Sequence, residues 1–314
     1  MSRTLTELST PGVPAGPRPR PAVSESRRLK RRAMARRRVA ILALLSVFMV
    51  ITLFPVYWIV VAALDPSSTL ATQSLLPATV SLANFRLLLG ESSTLPFWHW
   101  FANSLKVALT VSAVTVVLTA MSAFAFSRFR FRGKRPLMKA IVLVQVFPNL
   151  LALIAIYLMI QQTGRILPAL GLNSHLALIL VYLGGVLGGN VWLMKGYMDG
   201  LPRELDESAA IDGAGQATIF WRILLPLTKP MLAVTGVLAF VASYSEILLA
   251  RVLLTDNDQL TLALGLYTYA RTLYATSWGA FAAGALIAAV PAVVLFYLLQ
   301  NWLIKGLTAG SVKS

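Results

Sequence analysis

KGYMDGLPRELDESAAIDGAGQATIFWRILLPLTKP, residues 195–230, lies between two long apolar runs and resembles neither of them in composition. Lys195, Arg203, Arg222 and Lys229 stand there against Asp199, Glu204, Asp206, Glu207 and Asp212. The order of residues predicts helix, turn, helix. Pro202 suits a first helical turn, where its missing N–H costs nothing. Glu204, Asp206 and Glu207 follow where negative charge favours the positive helix end. Leu205, Ala209 and Ile211 supply apolar positions, and Ala209 with Ala210 offers a small-residue contact surface. Asp212-Gly213 ends the helix, because glycine tolerates a turn that other residues resist; Asp212 is expected to cap or stabilise that turn. Phe220, Ile223 and Leu224 then recur at helical spacing, and Pro226 and Pro230 shape the entry to the next run. A short helix of this kind fits a groove on another protein. The alternative, a helix lying on lipid, is opposed by its acidic flanks, which an anionic inner leaflet would repel.

The rest of the chain is made for a membrane. Of 314 residues, 57% are hydrophobic and 13% charged, and the mean hydropathy is +0.72. A soluble domain carries roughly 25% charged residues, so too little polar surface remains here to cover a water-facing globule. Six segments approach the roughly 20 apolar residues that a bilayer crossing requires. They are 39–63, 101–126, 138–160, 174–194, 230–250 and 278–300. The expected fold is an all-α polytopic membrane protein with six transmembrane helices.

Charge sets the topology. The net charge is +16, and residues 1–38 hold eleven basic side chains against Glu7 and Glu25. Their first part, PGVPAGPRPRPAV, is expected to be disordered, and RRLKRRAMARRR abuts the first apolar run as a positive-inside anchor. A cleaved secretory signal is the rival reading, opposed by the length of the polar region and by the apolar run's extent. Segment 127–139, SRFRFRGKRPLMK, is basic throughout, whereas 64–100 and 251–275 are near neutral. Both termini are therefore expected in the cytoplasm. This distribution accounts for the charge as topology, and no nucleic-acid partner is expected. With no Cys and only His99 and His175, cysteine chemistry and His-rich metal sites are excluded.

Polar groups inside the spans are few. Lys106 is expected to snorkel outward, and His99, within FWHWF at 97–101, sits among rings suited to the interface belt or to an external partner. Pro148, with Gln145 and Asn149, is expected to kink an inward-facing helix, and Pro148 and Asn149 stand as pathway or outer-gate candidates. Glu246, with Tyr244, lies near the outer end of the fifth span. It stands as a pathway or outer-gate candidate beside simple interfacial exposure. There is no Gly-x-x-x-x-Gly-Lys-Ser/Thr phosphate loop, so hydrolysis of ATP must belong to another chain.

Glu207, Ala209, Gly213, Ile223, Leu225 and Pro226 occupy the positions of the "EAA" signature, with Ser208 where the first Ala is usual. On these residues the chain resembles the permease subunits of binding-protein-dependent ABC importers, most closely the MalG-like carbohydrate permeases. Phe54-Pro55, Asn84-Phe85, Asn103-Ser104, Trp278-Gly279 and Gly306-Leu307-Thr308-Ala309-Gly310 extend the resemblance over 39–314. The usual aromatic-Asn-Glu-Phe group is here Tyr244-Ser245-Glu246-Ile247.

The resemblance implies a non-enzymatic subunit of a bacterial cytoplasmic membrane importer for maltose, maltodextrin, trehalose or a related oligosaccharide. A non-sugar solute, or a non-transporting membrane subunit, is the alternative. It implies a coupling loop, 195–230, in which Glu207, Ser208, Ala209, Ala210, Asp212 and Gly213 meet an ATPase subunit dimer. It further implies a second, MalF-like permease subunit and an extracellular or periplasmic solute-binding protein, with membrane lipid around the spans. No cofactor is expected on this chain; ATP and Mg belong to the partner ATPase. The division is a tail 1–38, a six-helix domain 39–305, and a cytoplasmic tail 306–314. In that tail Gly306, Thr308 and Gly310 either reach the ATPase or form a frayed end.

Overall fold

The computed structural model describes residues 23–67, 75–77, 79–90, 95–146, 149–272 and 278–309, of which the backbone alone is described at 23–33, 35, 146, 149–150, 269, 271–272 and 303–309. Among the described residues the regular elements are all helical. They are α1 (Val23–Leu64), α2 (Ala83–Leu89), α3 (Phe97–Arg128), α4 (Lys134–Val146), α5 (Asn149–Ile166), α6 (His175–Asp199) and α7 (Glu204–Ile211), followed by α8 (Gln216–Thr218), a π-helical turn Ile219–Leu224, α9 (Leu225–Leu227), α10 (Lys229–Tyr244), α11 (Leu248–Leu253), α12 (Leu262–Thr272) and α13 (Trp278–Ala309). The chain forms two compact units, one ending at Tyr57 and one starting at Trp58. In the first unit, α1 exposes an unbroken apolar surface from Val39 onward, with Leu44 and Phe48 about two-thirds exposed or more.

Among the described residues, four helices are long and apolar enough to cross a membrane, Arg36–Leu64, Phe97–Arg128, His175–Asp199 and Trp278–Trp302, and the bent pair Gln216–Leu227 and Lys229–Tyr244 would make a fifth. The expected span 138–160 is described as α4 and α5, on either side of Phe147 and Pro148, which lie outside the described residues. The expected span 230–250 is divided: α10 stops at Tyr244 before α11 restarts at Leu248. Ahead of it, Gln216–Leu227 meets α10 at 77°. Pro226 and Pro230 occupy the first turns of α9 and α10, where a missing N–H starts a helix without cost.

Two expected boundaries move. Residues 23–38 are helical and continuous with the first span, because RRLKRRAMARRR consists of good helix formers and carries no Pro or Gly; only 1–22 lie outside the described residues. At the other end, α13 runs on through Ala309, so residues 306–309 extend the last helix and do not begin a separate tail. Gly310 lies outside the described residues.

In the second unit α3 packs between α6 and α10, and α10 packs on α13. One buried cluster, with Phe97, Trp100, Leu178, Leu253 and Leu262, fills the end near the start of α3. The other, with Phe124, Met194, Met198, Phe220 and Leu224, fills the end where α3 stops.

A third contact explains residues that the sequence marked without giving them a task. The Asn84 amide lies 3.1 Å from the carbonyls of Ala63 and Asp65, occupying acceptors at the C-terminal end of α1. Gly279 abuts this amide so closely that a Cβ there would stand 2.2 Å from Asn84 Nδ2. Phe85 and Trp278 pack beside it on Ala62 and Ala63. Asn84→Ala is expected to cost about 1–3 kcal/mol, since buried carbonyls lose their donor. A fall in the thermal midpoint of the purified protein checks this, and an unchanged midpoint would count against the clasp.

Candidate functional site

The segment that breaks the apolar pattern folds as a short helix held at one end of the bundle. Its last turn closes through two backbone bonds, Gly213 N–H to Ala210 O at 3.1 Å and Ala214 N–H to Ala209 O at 2.9 Å. This pair is the Schellman cap, which places a left-handed residue just beyond the helix. Gly213 is that residue, at φ +84°. The cap also brings Ala214 over Ala209, and both lie in the cluster around Phe220. The Ala-to-Gly spacing of the motif is therefore the spacing of a helix stop.

The cap is made by backbone groups. Asp212 contributes its N–H, to Ser208 O at 3.0 Å, while its side chain is exposed. Asp212 thus takes part in the turn through its backbone N–H. Ala209 is also not on the outer surface: it is 8% exposed and packs inward. The outward face carries Glu207, Ala210 and Ile211, related by three- and four-residue spacing, with Glu204, Leu205 and Ser208 exposed beside them. Ile211, expected among the packed apolar positions, is 86% exposed. Ser208 bonds back to Glu204 O at 2.7 Å.

Beneath α7 is a polar anchor. Arg128, in the last turn of α3, forms an ion pair with Asp206, and the two side chains are 7% and 19% exposed. The same guanidinium donates to Leu201 O at 3.2 Å. Ser127 donates to Asp199 Oδ1 at 2.7 Å, and Lys195 pairs with the other oxygen of Asp199. In the sequence Arg128 is only one of the charges of the basic loop 127–139. What the spacing could not reveal is that it ends a helix pointing at α7.

The candidates near the fifth span separate. Glu246 stands in the gap between α10 and α11. Its carboxylate accepts from Leu249 N at 2.9 Å, from Ala250 N at 3.1 Å and from the Tyr182 hydroxyl at 2.7 Å. It thus satisfies donors that the start of α11 would otherwise leave open. Glu246 also lines a cavity of about 1000 Å³ with Gln145, Tyr182, Gly184 and Ser243. Tyr244 stacks on Phe240, with ring centroids 5.1 Å apart, and is not among the cavity's lining residues. Asn149 is the first residue of α5, and Pro148 lies outside the described residues.

At the opposite end of α3, side chains bind the stretch 253–262. Trp100 Nε1 donates to Asn257 O at 2.7 Å, and Asn103 donates to Asp258 O at 2.8 Å. Ser104 accepts from Leu262 N at 2.7 Å. From α6 and the turn before it, Asn173 Oδ1 accepts from Asp256 N at 3.0 Å and His175 Nε2 donates to Gln259 O at 2.9 Å. Lys106 does not simply snorkel: its ammonium reaches His175 Nδ1 at 3.3 Å. Among the described residues, no cluster of three or more His, Cys, Asp or Glu could hold a metal ion.

Residues 115–309 match the family described as the binding-protein-dependent transport system inner membrane component. The chain belongs to this family. It is a multi-pass permease subunit of an inner membrane importer, and not the ATP-hydrolysing component. The permease is 40% identical over 304 residues to the maltose/maltodextrin transport system permease protein MalG of Vibrio vulnificus, covering 93% of this chain and 99% of that one. It is 37% identical over 270 residues to the galactooligosaccharides transport system permease protein GanQ of Bacillus subtilis, covering 86% and 93%. The MalG of Escherichia coli is 39% identical over 281 residues, covering 86% and 94%. Among solved structures, a bacterial ABC transporter involved in the import of the acidic polysaccharide alginate contains a chain of the same fold. Its TM-score is 0.70 at 20% identity, covering 87% of the permease and 98% of that chain.

Proposed function

We propose that the permease imports an oligosaccharide of the maltose/maltodextrin type and couples that import to an ATPase through α7. The observation that carries the substrate class is the near full-length similarity to MalG permeases, at 40% identity over 93% of this chain. The coupling reading is supported by a short capped helix whose outward face, Glu207, Ala210 and Ile211, is left uncovered. An exposed Ile beside small and acidic residues suits a cleft on a protein partner better than water.

In this reading six spans cross the membrane, α4 with α5 making one and α10 another, and both termini are cytoplasmic. α7 meets the ATPase dimer, and a MalF-like permease completes the membrane pore. The stretch 253–262 faces an external solute-binding protein. The cavity beside Glu246 forms part of the route, with Glu246 holding the wall and not the sugar, because its oxygens are engaged within the chain. Residues 306–314 approach the ATPase.

The test is ATP hydrolysis by the reconstituted complex of this chain, its neighbouring permease, the ATPase and the binding protein. The titration covers α-glucosides, trehalose and unrelated solutes. Selective stimulation by an oligosaccharide is expected, and stimulation by an unrelated solute alone would overturn the substrate class. In the same assay Glu207→Ala is expected to leave the complex assembled and reduce sugar stimulation about fivefold or more, the scale of a modest coupling energy. Undiminished stimulation would remove Glu207 from the contact.

A further inference from the structure

Eight residues with one buried apolar side chain, Ala209, do not by themselves fix a helix against a bundle; short helices depend on tertiary contacts for their stability. What ties α7 down is electrostatic. The Arg128 guanidinium joins the Asp206 carboxylate on α7 to the Leu201 carbonyl between α6 and α7, and neighbouring Ser127 binds Asp199 at the end of α6. A cation in the last turn of α3 is favoured there by the carbonyl ends of that helix. Almost no water reaches Arg128, so an opposite charge beside it is required.

α3 is continuous over 32 residues, about 48 Å at the usual helical rise. Its far end holds the stretch 253–262 through Trp100, Asn103 and Ser104. One helix thus carries a buried ion pair to α7 at one end and a hydrogen-bonded strap at the other. We propose that the Arg128–Asp206 pair is the joint through which displacement of α7 is passed to α3, and through α3 to the stretch 253–262. Arg128 is a positioning residue in this scheme, touching neither ATP nor sugar. The inference rests on the reading of α7 as the ATPase contact.

The chain has no cysteine, so Ala210→Cys introduces a unique thiol on the outward face of α7. The complete complex in proteoliposomes is compared with wild-type, Arg128→Gln, Asp206→Asn and doubly neutral Arg128→Gln/Asp206→Asn pairs, each with and without Ala210→Cys. Cross-linking of that thiol to the ATPase subunit reports docking, and sugar taken up per ATP hydrolysed reports transmission. Docking is expected in the doubly neutral variant, which buries no unpaired charge, while its sugar-to-ATP ratio falls about tenfold, within the range of ordinary coupling energies. A wild-type ratio in that variant, with docking retained, would overturn the joint and leave the coupling reading intact. Absence of cross-linking in the otherwise wild-type complex would overturn the coupling reading itself, and the joint with it. If only the single variants lose transport and the neutral pair regains it, the pair serves packing alone and the proposal fails.

Discussion

Gly213→Val is expected to abolish transport, while Gly213→Asn keeps most of it. At φ +84°, Gly213 sits where an L side chain places its Cβ against its own backbone, a cost of about 1–2 kcal/mol for an ordinary residue and higher for a β-branched one. No atom lies within 4 Å of the position a Cβ would take, so the penalty is conformational and not a clash with a neighbour. Relief comes from unwinding the cap, which frees the Ala209 and Ala210 carbonyls and rotates the outward face of α7. About 2 kcal/mol corresponds to a roughly 30-fold change in population, enough to leave little of the docked geometry. Asparagine visits the left-handed region far more readily, which makes it the control for side-chain size. Sugar uptake by reconstituted complexes, measured beside co-purification of the ATPase, decides the matter. Uptake by the valine variant equal to wild type would show that the cap has no part in coupling.

Trp100→Ala is expected to destabilise the protein by about 3–5 kcal/mol, the usual range for deleting a large buried aromatic side chain. Trp100 is 2% exposed, and Gly265 lies so close to its ring that a Cβ there would stand 2.3 Å away. The substitution leaves a void against Gly265 and removes the bond to Asn257 O. The damage should be confined to the far end of α3, because Arg128 and α7 sit in the other buried cluster. The expected result is a strongly lowered thermal midpoint with α7 still docked on the ATPase, and loss of the stimulation that the binding protein provides. A wild-type midpoint would mean that the indole contributes nothing to holding 253–262.

Several residues matched in sequence acquire tasks only in three dimensions. Asn84 and Gly279 are 195 positions apart and are strong only as a pair, since the amide fills the space the glycine vacates. Asn103 and Ser104 read as an unremarkable helix start, yet both hold 258–262. Glu246 is an acid near the outer end of an expected span that in sequence stands as a gate candidate beside simple interfacial exposure; in the fold it supplies acceptors to the start of α11 and to Tyr182. None of these relations has a periodicity, because each joins elements whose distance along the chain is unrelated to their distance in space.

The sequence by itself determined the membrane class, since a 13% charged chain cannot clothe a soluble globule. It also determined the helix stop at Gly213, since that depends on a local backbone conformation and on neighbours within five residues. Its basic runs carried the expectation of orientation. Tertiary structure alone decided which face of α7 is free, because Ala209 turns inward only where Phe220 and Ala214 meet it. It also decided that Arg128 is a partner of Asp206 and more than one charge in a basic loop. A side chain's task in a membrane bundle follows from what replaces water around it, and in this chain that is settled by helices distant in sequence.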